Sequence, residues 1–331
     1  MSRCLCCGKP LTEAASEQER RTQWHNRCVR KFFGTRVLPE LDISDATLIR
    51  IATESTTKGF TVPGVQKKMS LHLASDGNQP RLTLVNYPTG YILKPQTEAY
   101  AALPEAEYLV MQMAEATGIA TVPYALIRQA DSDQPLAYIT KRIDRVLPSR
   151  KEPQLRRLAM EDFCQLDHRL TENKYLGSYE RCAKIVSQYS VQPGLDRSEL
   201  FLRVVFSFAV GNSDMHLKNF SLVEKAECSG SYVLSRAYDL LPVNVIVPED
   251  QDQMALTVNG KKRNLHRNDF LAFAQTSGIS LEAARKMIQQ VISLKPVYLR
   301  LCEESYLPVK MRDAFLSLIE ERIAALEPIA L

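Results

Sequence analysis

Three polar side chains in the second half of the sequence have the types and the spacing that phosphoryl transfer from ATP requires. Asp214 is followed five residues later by Asn219, and Asp239 comes after a short apolar–turn–apolar segment. In such a set, the first aspartate orients an attacking hydroxyl group and accepts its proton, while the asparagine and the second aspartate hold Mg²⁺ against the nucleotide phosphates. The pattern therefore predicts an ATP- and Mg²⁺-dependent phosphotransferase.

The segments around these residues have the order of a protein-kinase catalytic lobe. Residues 198–210 (SELFLRVVFSFAV) are strongly apolar over a helical length, and they run directly into the loop GNSDMHLKN. Residues 221–223 and 232–234 indicate two short strands around a turn, and Asp239 follows the second strand. Helix, polar loop, hairpin and aspartate is the sequence of parts that a kinase uses to present its catalytic and metal-binding groups.

The rest of the chain predicts an α+β protein with a two-lobed protein-kinase-like fold. We expect a mostly antiparallel β N-lobe at residues 35–141 and a mainly helical C-lobe at residues 142–331. The predicted strands are 68–73, 81–85, 91–94, 120–126 and 136–140. The predicted helices are 44–51, 104–117, 160–166, 179–188, 198–210, 268–278, 280–294 and 309–326.

Several residues ahead of the catalytic loop are candidates for nucleotide contacts. Residues 61–68 (TVPGVQKK) offer a glycine and lysines, which let the backbone and a positive charge approach a phosphate. An ordinary surface loop would look the same, so this segment gains weight only from its order in the chain. The candidates within it are Val62, Gly64, Gln66 and Lys68.

Lys94, at the end of a predicted strand, is the candidate for the lysine that contacts the phosphates. Glu107 in the next helix is its expected ion-pair partner, although a lone strand lysine is commonly just solvated. Lys141 and Ile143 lie where backbone groups could bind adenine. Asp144 has two open interpretations, a ribose contact or a surface ion pair with a neighbouring arginine.

Two further side chains lie inside the catalytic loop. His216 and Lys218 stand between Asp214 and Asn219, and either could act on the transferring phosphoryl group. For His216 a structural hydrogen bond within the loop is an equally good interpretation.

The first 34 residues form a cysteine-rich segment. Cys4 and Cys7 are two residues apart, and His25 and Cys28 repeat that spacing, as in zinc sites with three cysteines and one histidine. Cys6 would be a spare thiol. The alternative is a set of reduced, partly buried thiols without metal. The other cysteines, at positions 164, 182, 228 and 302, are scattered and are expected to be free thiols in a reducing cytoplasm.

Composition excludes other classes of protein. The chain has 331 residues with 45% hydrophobic content, no apolar run of membrane-spanning length and no apolar N-terminal signal segment. We therefore predict a cytoplasmic protein without membrane association. The net charge of +4 is too small to indicate nucleic-acid binding. The basic residues of segment 142–157 indicate a solvated inter-lobe loop or a partner-docking surface.

The motifs, in their order, resemble the HipA-type toxin kinases. The resemblance rests on GVQKK (64–68), YILKP (91–95), KRIDR (141–145), GNSDMHLKNFSL (211–222) and AYDLLPV (237–243). The chain is similar in particular to the short form, HipT, because the nucleotide loop begins near residue 60 and leaves no room for an extra N-terminal subdomain. The resemblance implies a serine/threonine protein kinase that is the toxin of a toxin–antitoxin module.

The same resemblance implies particular partners. The expected protein substrate is an aminoacyl-tRNA synthetase, and the short form points to the tryptophanyl enzyme. A helix-turn-helix antitoxin and a small HipS-like protein are the expected partners, so that DNA would be contacted only through the antitoxin. Many members carry a self-phosphorylated serine just ahead of the GVQ segment. Here Thr61 keeps a hydroxyl group and is the candidate autophosphorylation site, with Ser55, Thr56 and Thr57 as alternatives.

Two other functions stay open at the level of sequence. A small-molecule phosphotransferase shares the Asp–Asn–Asp set, and it would need an acidic pocket for which residues 303–304 and 320–321 are the only glutamate pairs after Asp239. A nucleotide-binding or DNA-associated interaction module without catalysis is the third possibility. The intact Asp214 speaks against it.

Overall fold

The computed structural model describes residues 2–41, 68–74, 80–83, 89–128, 136–148 and 154–328. The chain divides into two compact units. The first comprises Met1–Tyr108, Val122–Arg142 and Leu147–Leu155, and the second comprises Leu109–Thr121, Ile143–Val146 and Arg156–Leu331. The predicted helix 44–51 and most of the predicted nucleotide loop, including Thr61, Val62, Gly64 and Gln66, lie outside the described residues.

The first unit is built on a six-stranded sheet with the order β1-β3-β2-β4-β6-β5. Its strands are β1 (Glu40–Leu41), β2 (Met69–Ala74), β3 (Arg81–Thr83), β4 (Tyr91–Pro95), β5 (Tyr124–Arg128) and β6 (Leu136–Lys141). All neighbours are antiparallel except β1 and β3, which pair in parallel. The predicted mostly antiparallel sheet is confirmed. Strand β5 begins after Pro123, later than predicted, because proline has no N–H group for the ladder.

The centre of this sheet is apolar. Leu93 of β4 lies opposite Ile139 of β6, and both side chains are fully buried. The helix Leu103–Thr117 follows β4, and Leu109, Val110 and Met113 are buried as predicted. The expected amphipathic pattern is wrong, because the helix is buried on almost every side and only Glu115 and Ala116 are exposed. Its first residues group with the first unit, and its residues from Leu109 onward group with the second.

Two short N-terminal helices also belong to the first unit, and the sequence analysis did not predict them. Helix α1 (Glu17–Thr22) begins with a capping box between Ser16 and Glu19. Helix α2 (Asn26–Phe33) ends at Gly34 and buries four of its side chains. Helix α2 has only eight residues, so the packing of its buried side chains rather than helical propensity determines it, whereas α1 buries no residue and depends on its capping box.

The second unit contains a three-stranded sheet of the order β11-β10-β9, and a separate pair, β7 (Arg145–Val146) with β8 (Arg156–Arg157). Strands β10 (Ser221–Glu224) and β11 (Tyr232–Leu234) form the predicted hairpin. The prediction of a helix over 160–166 is wrong in its first half. Residues Met160–Asp162 form β9, paired with β10, and only Phe163–Leu166 is helical. Asp162 caps that turn by accepting from the Gln165 N–H group.

The remainder of this unit is helical, as predicted. Its main helices are Tyr179–Tyr189, Pro193–Ala209, Arg267–Thr276, Leu281–Ser293, Lys295–Glu303 and Val309–Leu326. The helix before the catalytic loop starts five residues earlier than predicted, with Pro193 at its first position. A separate helix Lys295–Glu303 was missed, since Pro296 in its first turn looks like the end of a helix in sequence. No helix among the described residues is long and apolar enough to cross a membrane.

Candidate active site

The catalytic loop leaves its helix through a glycine that no other residue could replace without strain. Gly211 has φ +65°, and a Cβ atom there would lie 2.9 Å from the Leu318 side chain. Its carbonyl accepts a hydrogen bond of 3.0 Å from the Asn244 N–H group. The loop therefore starts from a backbone turn that neighbouring helices hold on both sides.

Hydrogen bonds within the loop join Asp214 to Asn219. The Asp214 carbonyl accepts from the His216 N–H group at 2.8 Å and from Asn219 Nδ2 at 2.8 Å. A 3₁₀ turn, Leu217–Asn219, completes the loop. Because Nδ2 of Asn219 is used in this way, its Oδ1 is the atom that can bind a metal ion.

The Asp214 carboxylate is open to solvent, with 44% of its side chain exposed. Tyr175 donates a hydrogen bond of 2.5 Å from its hydroxyl group to Asp214 Oδ1. Partial burial and this bond raise the pKa of Tyr175, so the hydroxyl group stays a donor at neutral pH. Sequence reasoning missed Tyr175, because it lies 39 residues before Asp214 and only the fold brings it to the carboxylate.

His216 is buried beside these two residues. Its ring stands edge-on to that of Tyr175 with 5.0 Å between centroids, and its Nε2 lies 4.0 Å from Asp214 Oδ1. Burial lowers the pKa of His216, while the carboxylates of Asp214 and, more weakly, Asp239 act in the opposite direction. The imidazole is therefore neutral at physiological pH. Its Nδ1 has no hydrogen-bond partner among the described residues.

Lys218 is held on the other side of the loop by Asp162, the last residue of β9. Lys218 Nζ and Asp162 Oδ2 are 2.7 Å apart, and the lysine side chain is 24% exposed. Tyr238 supports the same turn by donating to the Lys218 carbonyl at 3.2 Å. The ammonium group thus has a fixed carboxylate partner, and sequence alone did not indicate Asp162.

Asp239 stands after β11 in the left-handed backbone region. Its φ is +59°, a conformation that few residues other than glycine adopt and that aspartate and asparagine tolerate best among them. The side chain is half-buried. An aspartate and the Asn219 amide oxygen are hard oxygen donors, which fit Mg²⁺ with its preference for a few protein oxygens plus phosphate oxygens.

In the first unit, the predicted ion pair between Lys94 and Glu107 is present. Lys94 Nζ lies 2.6 Å from Glu107 Oε1, and the two side chains are 4% and 0% exposed. The ammonium group also lies 5.2 Å from the centroid of the Tyr138 ring on the next strand. Strand β4 and the helix Leu103–Thr117 together fix both ends of the pair.

The other residues predicted to contact the nucleotide are Lys68, Lys141, Ile143 and Asp144, and their surroundings do not single out one role for each. Lys68 stands immediately before β2. The Lys141 N–H group donates to the Pro123 carbonyl at 3.1 Å, and its ammonium group lies 5.5 Å from the Phe32 ring centroid. Burial lowers the pKa of Lys141. Asp144 forms an ion pair of 2.5 Å with Arg145, one of the two roles considered for it from sequence. Ile143, in the turn before it, is half-buried.

The four predicted zinc ligands come together in the first unit. One ligand atom each from Cys4, Cys7, His25 and Cys28 lies within 4.8 Å of the other three. Hydrogen bonds from Cys28 and Cys4 hold the pKa of the Cys7 thiol well below its usual range. All eight cysteines are free of disulfide bonds.

Comparisons with known proteins identify the family of the chain. The family model described as the HipA-like C-terminal domain matches residues 60–296. A Haemophilus influenzae protein named "Putative kinase" is 23% identical over 87% of this chain and 88% of its own length. Two Sinorhizobium fredii proteins of the same kind, Y4mE and Y4dM, are each 28% identical over 70% of this chain, which spans 54% and 58% of their lengths.

Two solved structures share the architecture. The first is Shewanella oneidensis HipA, from a complex with HipB and operator DNA, with a TM-score of 0.66 and 16% identity over 86% of this chain and 70% of its own. The second is the Helicobacter pylori proinflammatory kinase CtkA, with a TM-score of 0.54 and 16% identity over 81% of this chain and 91% of its own. These similarities show a kinase-like fold of two lobes.

Proposed function

The chain belongs to the HipA-like C-terminal domain family, and on that basis we propose that it is an ATP- and Mg²⁺-dependent serine/threonine protein kinase. One observation carries this proposal. In the loop of residues 211–219, the Asp214 side chain is 44% exposed, and its own backbone carbonyl accepts a hydrogen bond of 2.8 Å from Asn219 Nδ2. The same loop therefore presents an accessible carboxylate and orients the Asn219 amide, the groups that phosphoryl transfer to a hydroxyl group uses for proton acceptance and for binding Mg²⁺.

In this reaction the hydroxyl oxygen of the protein substrate attacks the γ-phosphorus of ATP. The bond between that phosphorus and the oxygen bridging to the β-phosphate breaks, ADP leaves, and the hydroxyl proton passes to Asp214. Tyr175 donates to Oδ1 of Asp214, so Oδ2 is the oxygen that accepts the proton. The imidazole of His216, whose pKa is lowered by burial, lies beside them as a neutral group.

The other predicted residues bind and orient the nucleotide. Asn219 Oδ1 and the Asp239 carboxylate would hold Mg²⁺, which supplies positive charge to the phosphate oxygens when it is bound. Lys94 contacts the phosphates in this account, and Glu107 positions its ammonium group through the 2.6 Å ion pair. Lys68 and the loop ahead of it add a phosphate contact, and the backbone of residues 141–143 binds adenine.

We propose further that this kinase is the toxin of a HipA-type toxin–antitoxin module and acts in the cytoplasm. The support is the family together with Shewanella HipA, which was solved with HipB and operator DNA. A helix-turn-helix antitoxin and a small HipS-like protein are the proposed partners. The proposed substrate is an aminoacyl-tRNA synthetase, with the tryptophanyl enzyme as the first to test. Thr61 is the proposed autophosphorylation site, where a phosphate would repel the ATP phosphates.

The small-molecule alternative gains no support from the acidic pairs that it would need. Glu303, Glu304, Glu320 and Glu321 are all solvent-exposed. Exposed glutamates on helices are the ordinary location for solvated charges rather than the lining of a pocket for a cationic substrate.

The proposal is tested by phosphoryl transfer from labelled ATP to the kinase itself and to tryptophanyl-tRNA synthetase. We expect Mg²⁺-dependent labelling by the wild-type protein and by Glu282→Gln, whose carboxylate is 77% exposed in a surface pair with Lys286. Asp239→Asn should abolish labelling and should also abolish growth arrest on expression. If Asp239→Asn labels its targets as fast as the wild-type protein, the assignment of the metal ligand is wrong.

A further inference from the structure

The cysteine-rich N-terminus has the geometry of a complete metal site. Two halves meet there: the turn that carries Cys4 and Cys7, and the start of helix α2, which carries His25 and Cys28. Cys7 Sγ and His25 Nδ1 are 3.4 Å apart, and all four ligand atoms lie within 4.8 Å of one another. In a tetrahedral zinc site two sulfurs are separated by about 3.8 Å, and a sulfur and a nitrogen by about 3.6 Å.

The backbone around the ligands is also organised for thiolates. Gly8, with φ +68°, closes the turn by donating to the Cys4 carbonyl at 2.8 Å. The His25 N–H group donates to Cys4 Sγ at 3.3 Å. Cys28 stands in the first turn of α2, where the helix dipole favours negative charge. Bonds from N–H groups to sulfur and a helix N-terminus both stabilise the ionised form that binds metal.

Residues 2–34 are attached to the sheet of the first unit through both backbone groups of one strand residue, Leu126. The Leu126 N–H group donates to the Leu5 carbonyl at 2.8 Å, and Trp24 Nε1 donates to the Leu126 carbonyl at 3.2 Å. Leu126 belongs to β5, the edge strand of the sheet. Leu5 follows the first ligand and Trp24 precedes the histidine, so each attachment is directly next to a residue of the cluster.

Aromatic packing extends the attachment. Trp24, Phe32 and Phe33 pack together with ring centroids 4.8–5.7 Å apart, and Phe33 reaches Tyr91 of β4 at 5.5 Å. Helix α1, in contrast, buries none of its residues. A segment of about this size with so small an interior of its own needs a metal or another cross-link to hold one conformation.

We propose that Cys4, Cys7, His25 and Cys28 bind one structural Zn²⁺, and that this ion fixes residues 2–34 as a clamp over edge strand β5. Zinc fits the donor set better than Mg²⁺ or Ca²⁺, because three sulfurs and one imidazole are soft ligands. All four positions are filled by the protein, which is the arrangement of a structural rather than a catalytic zinc. The proposal is independent of the kinase reaction.

Cys6 provides a matched control. It lies one residue from Cys7, is half-buried as Cys7 is, and is not one of the four grouped ligands. Elemental analysis of protein purified without chelator should give about one zinc per chain for the wild-type protein and for Cys6→Ser, since one tetrahedral site holds one ion. Cys7→Ser and Cys28→Ser should lose most of that zinc. Equal loss in Cys6→Ser, or wild-type protein without metal, would overturn the assignment.

The wild-type protein itself supplies a second test, in case the cysteine variants do not fold. Zinc X-ray absorption should show three sulfurs at about 2.3 Å and one nitrogen at about 2.0 Å. Four sulfurs would mean that Cys6 has replaced His25, and a disulfide among the four cysteines by mass spectrometry would mean that no such site exists. Either result contradicts the proposal.

Hydrogen exchange tests the clamp. After zinc is removed with a strong chelator under reducing conditions, amide exchange should become at least tenfold faster in residues 2–34 and in Tyr124–Arg128, the edge strand. The helix Pro193–Ala209 in the second unit should keep its exchange rates. Unchanged exchange in Tyr124–Arg128 would show that the metal orders only its own segment and would refute the clamp.

Discussion

Two sets of side chains, one in each unit of the molecule, differ in how far the protein encloses them. In the first unit, Lys94 and Glu107 are 4% and 0% exposed, and Cys4 of the cysteine–histidine cluster is fully buried. In the second unit, Asp214 is 44% exposed and Lys218 is 24% exposed. The Lys94–Glu107 pair is completed within the protein, whereas the Asp214 carboxylate, although it accepts a hydrogen bond from Tyr175, remains accessible to a substrate hydroxyl group.

This difference teaches where stability and reactivity reside. A buried charge that loses its partner destabilises the fold, because water cannot reach it to replace the lost interaction. An exposed carboxylate that is neutralised changes the reaction that it performs and leaves the fold nearly unaffected. Substitutions of the buried Lys94–Glu107 pair should therefore lower stability, whereas conservative substitutions at the exposed Asp214 should lower activity alone.

The largest stability effect is expected for Lys94→Met. It leaves Glu107, which is 0% exposed, without its 2.6 Å partner, and breaking a buried pair in this way costs about 3–5 kcal/mol. Denaturant unfolding measures the loss, and Lys286→Met in the exposed pair with Glu282 is the control, expected to cost less than about 0.5 kcal/mol. Adding Glu107→Leu to Lys94→Met should restore much of the stability but no activity. Equal stability of Lys94→Met and Lys286→Met would remove the contrast between the units.

Tyr175→Phe should affect activity and not stability. The Tyr175 hydroxyl group holds the Asp214 carboxylate through one hydrogen bond at a partly exposed position, and a net loss of about 1 kcal/mol corresponds to a roughly fivefold fall in kcat. The affinity for nucleotide should stay the same. A faster enzyme would mean instead that the phenol obstructs the substrate hydroxyl group, so that Tyr175 would be inhibitory.

The smallest expected effect is a pH dependence of stability from His216. Burial lowers its pKa in the folded protein, so below its ordinary value of about 6.5 the unfolded chain takes up a proton that the folded protein does not. The free energy of unfolding should therefore fall as the pH drops below about 6.5, by less than about 1.4 kcal/mol per pH unit. His216→Gln should flatten this slope. Parallel curves for the two proteins would show that the imidazole titrates normally.

Sequence predicted the parts of the site that depend on local spacing. The loop from Asp214 to Asn219, the hairpin before Asp239 and the paired cysteines of the first 34 residues are all short-range patterns. The Lys94–Glu107 pair is also close in sequence, since a strand end and the next helix place the two residues 13 positions apart. These features follow from turn chemistry and periodicity, which a single sequence contains.

Contacts made by the tertiary fold could not be predicted in this way. Tyr175 reaches Asp214 across 39 residues, and Asp162 reaches Lys218 across 56. The same long-range pairing explains why 160–162 is a strand: β10 satisfies its backbone, although the apolar spacing alone favours a helix. Neither Tyr175 nor Asp162 belongs to a short sequence motif, so only the folded structure connects these residues to the catalytic loop.

Asp214→Asn tests the central claim most directly. The amide keeps the size of the side chain and can no longer accept the substrate proton, and the metal-binding residues Asn219 and Asp239 are unchanged. We predict that kcat for phosphoryl transfer falls by a factor of about 10²–10⁴. The dissociation constant of Mg²⁺–ATP should stay within about twofold of the wild-type value, and the midpoint temperature of unfolding within about 2 °C. Phosphoryl transfer at the wild-type rate by Asp214→Asn would contradict the account.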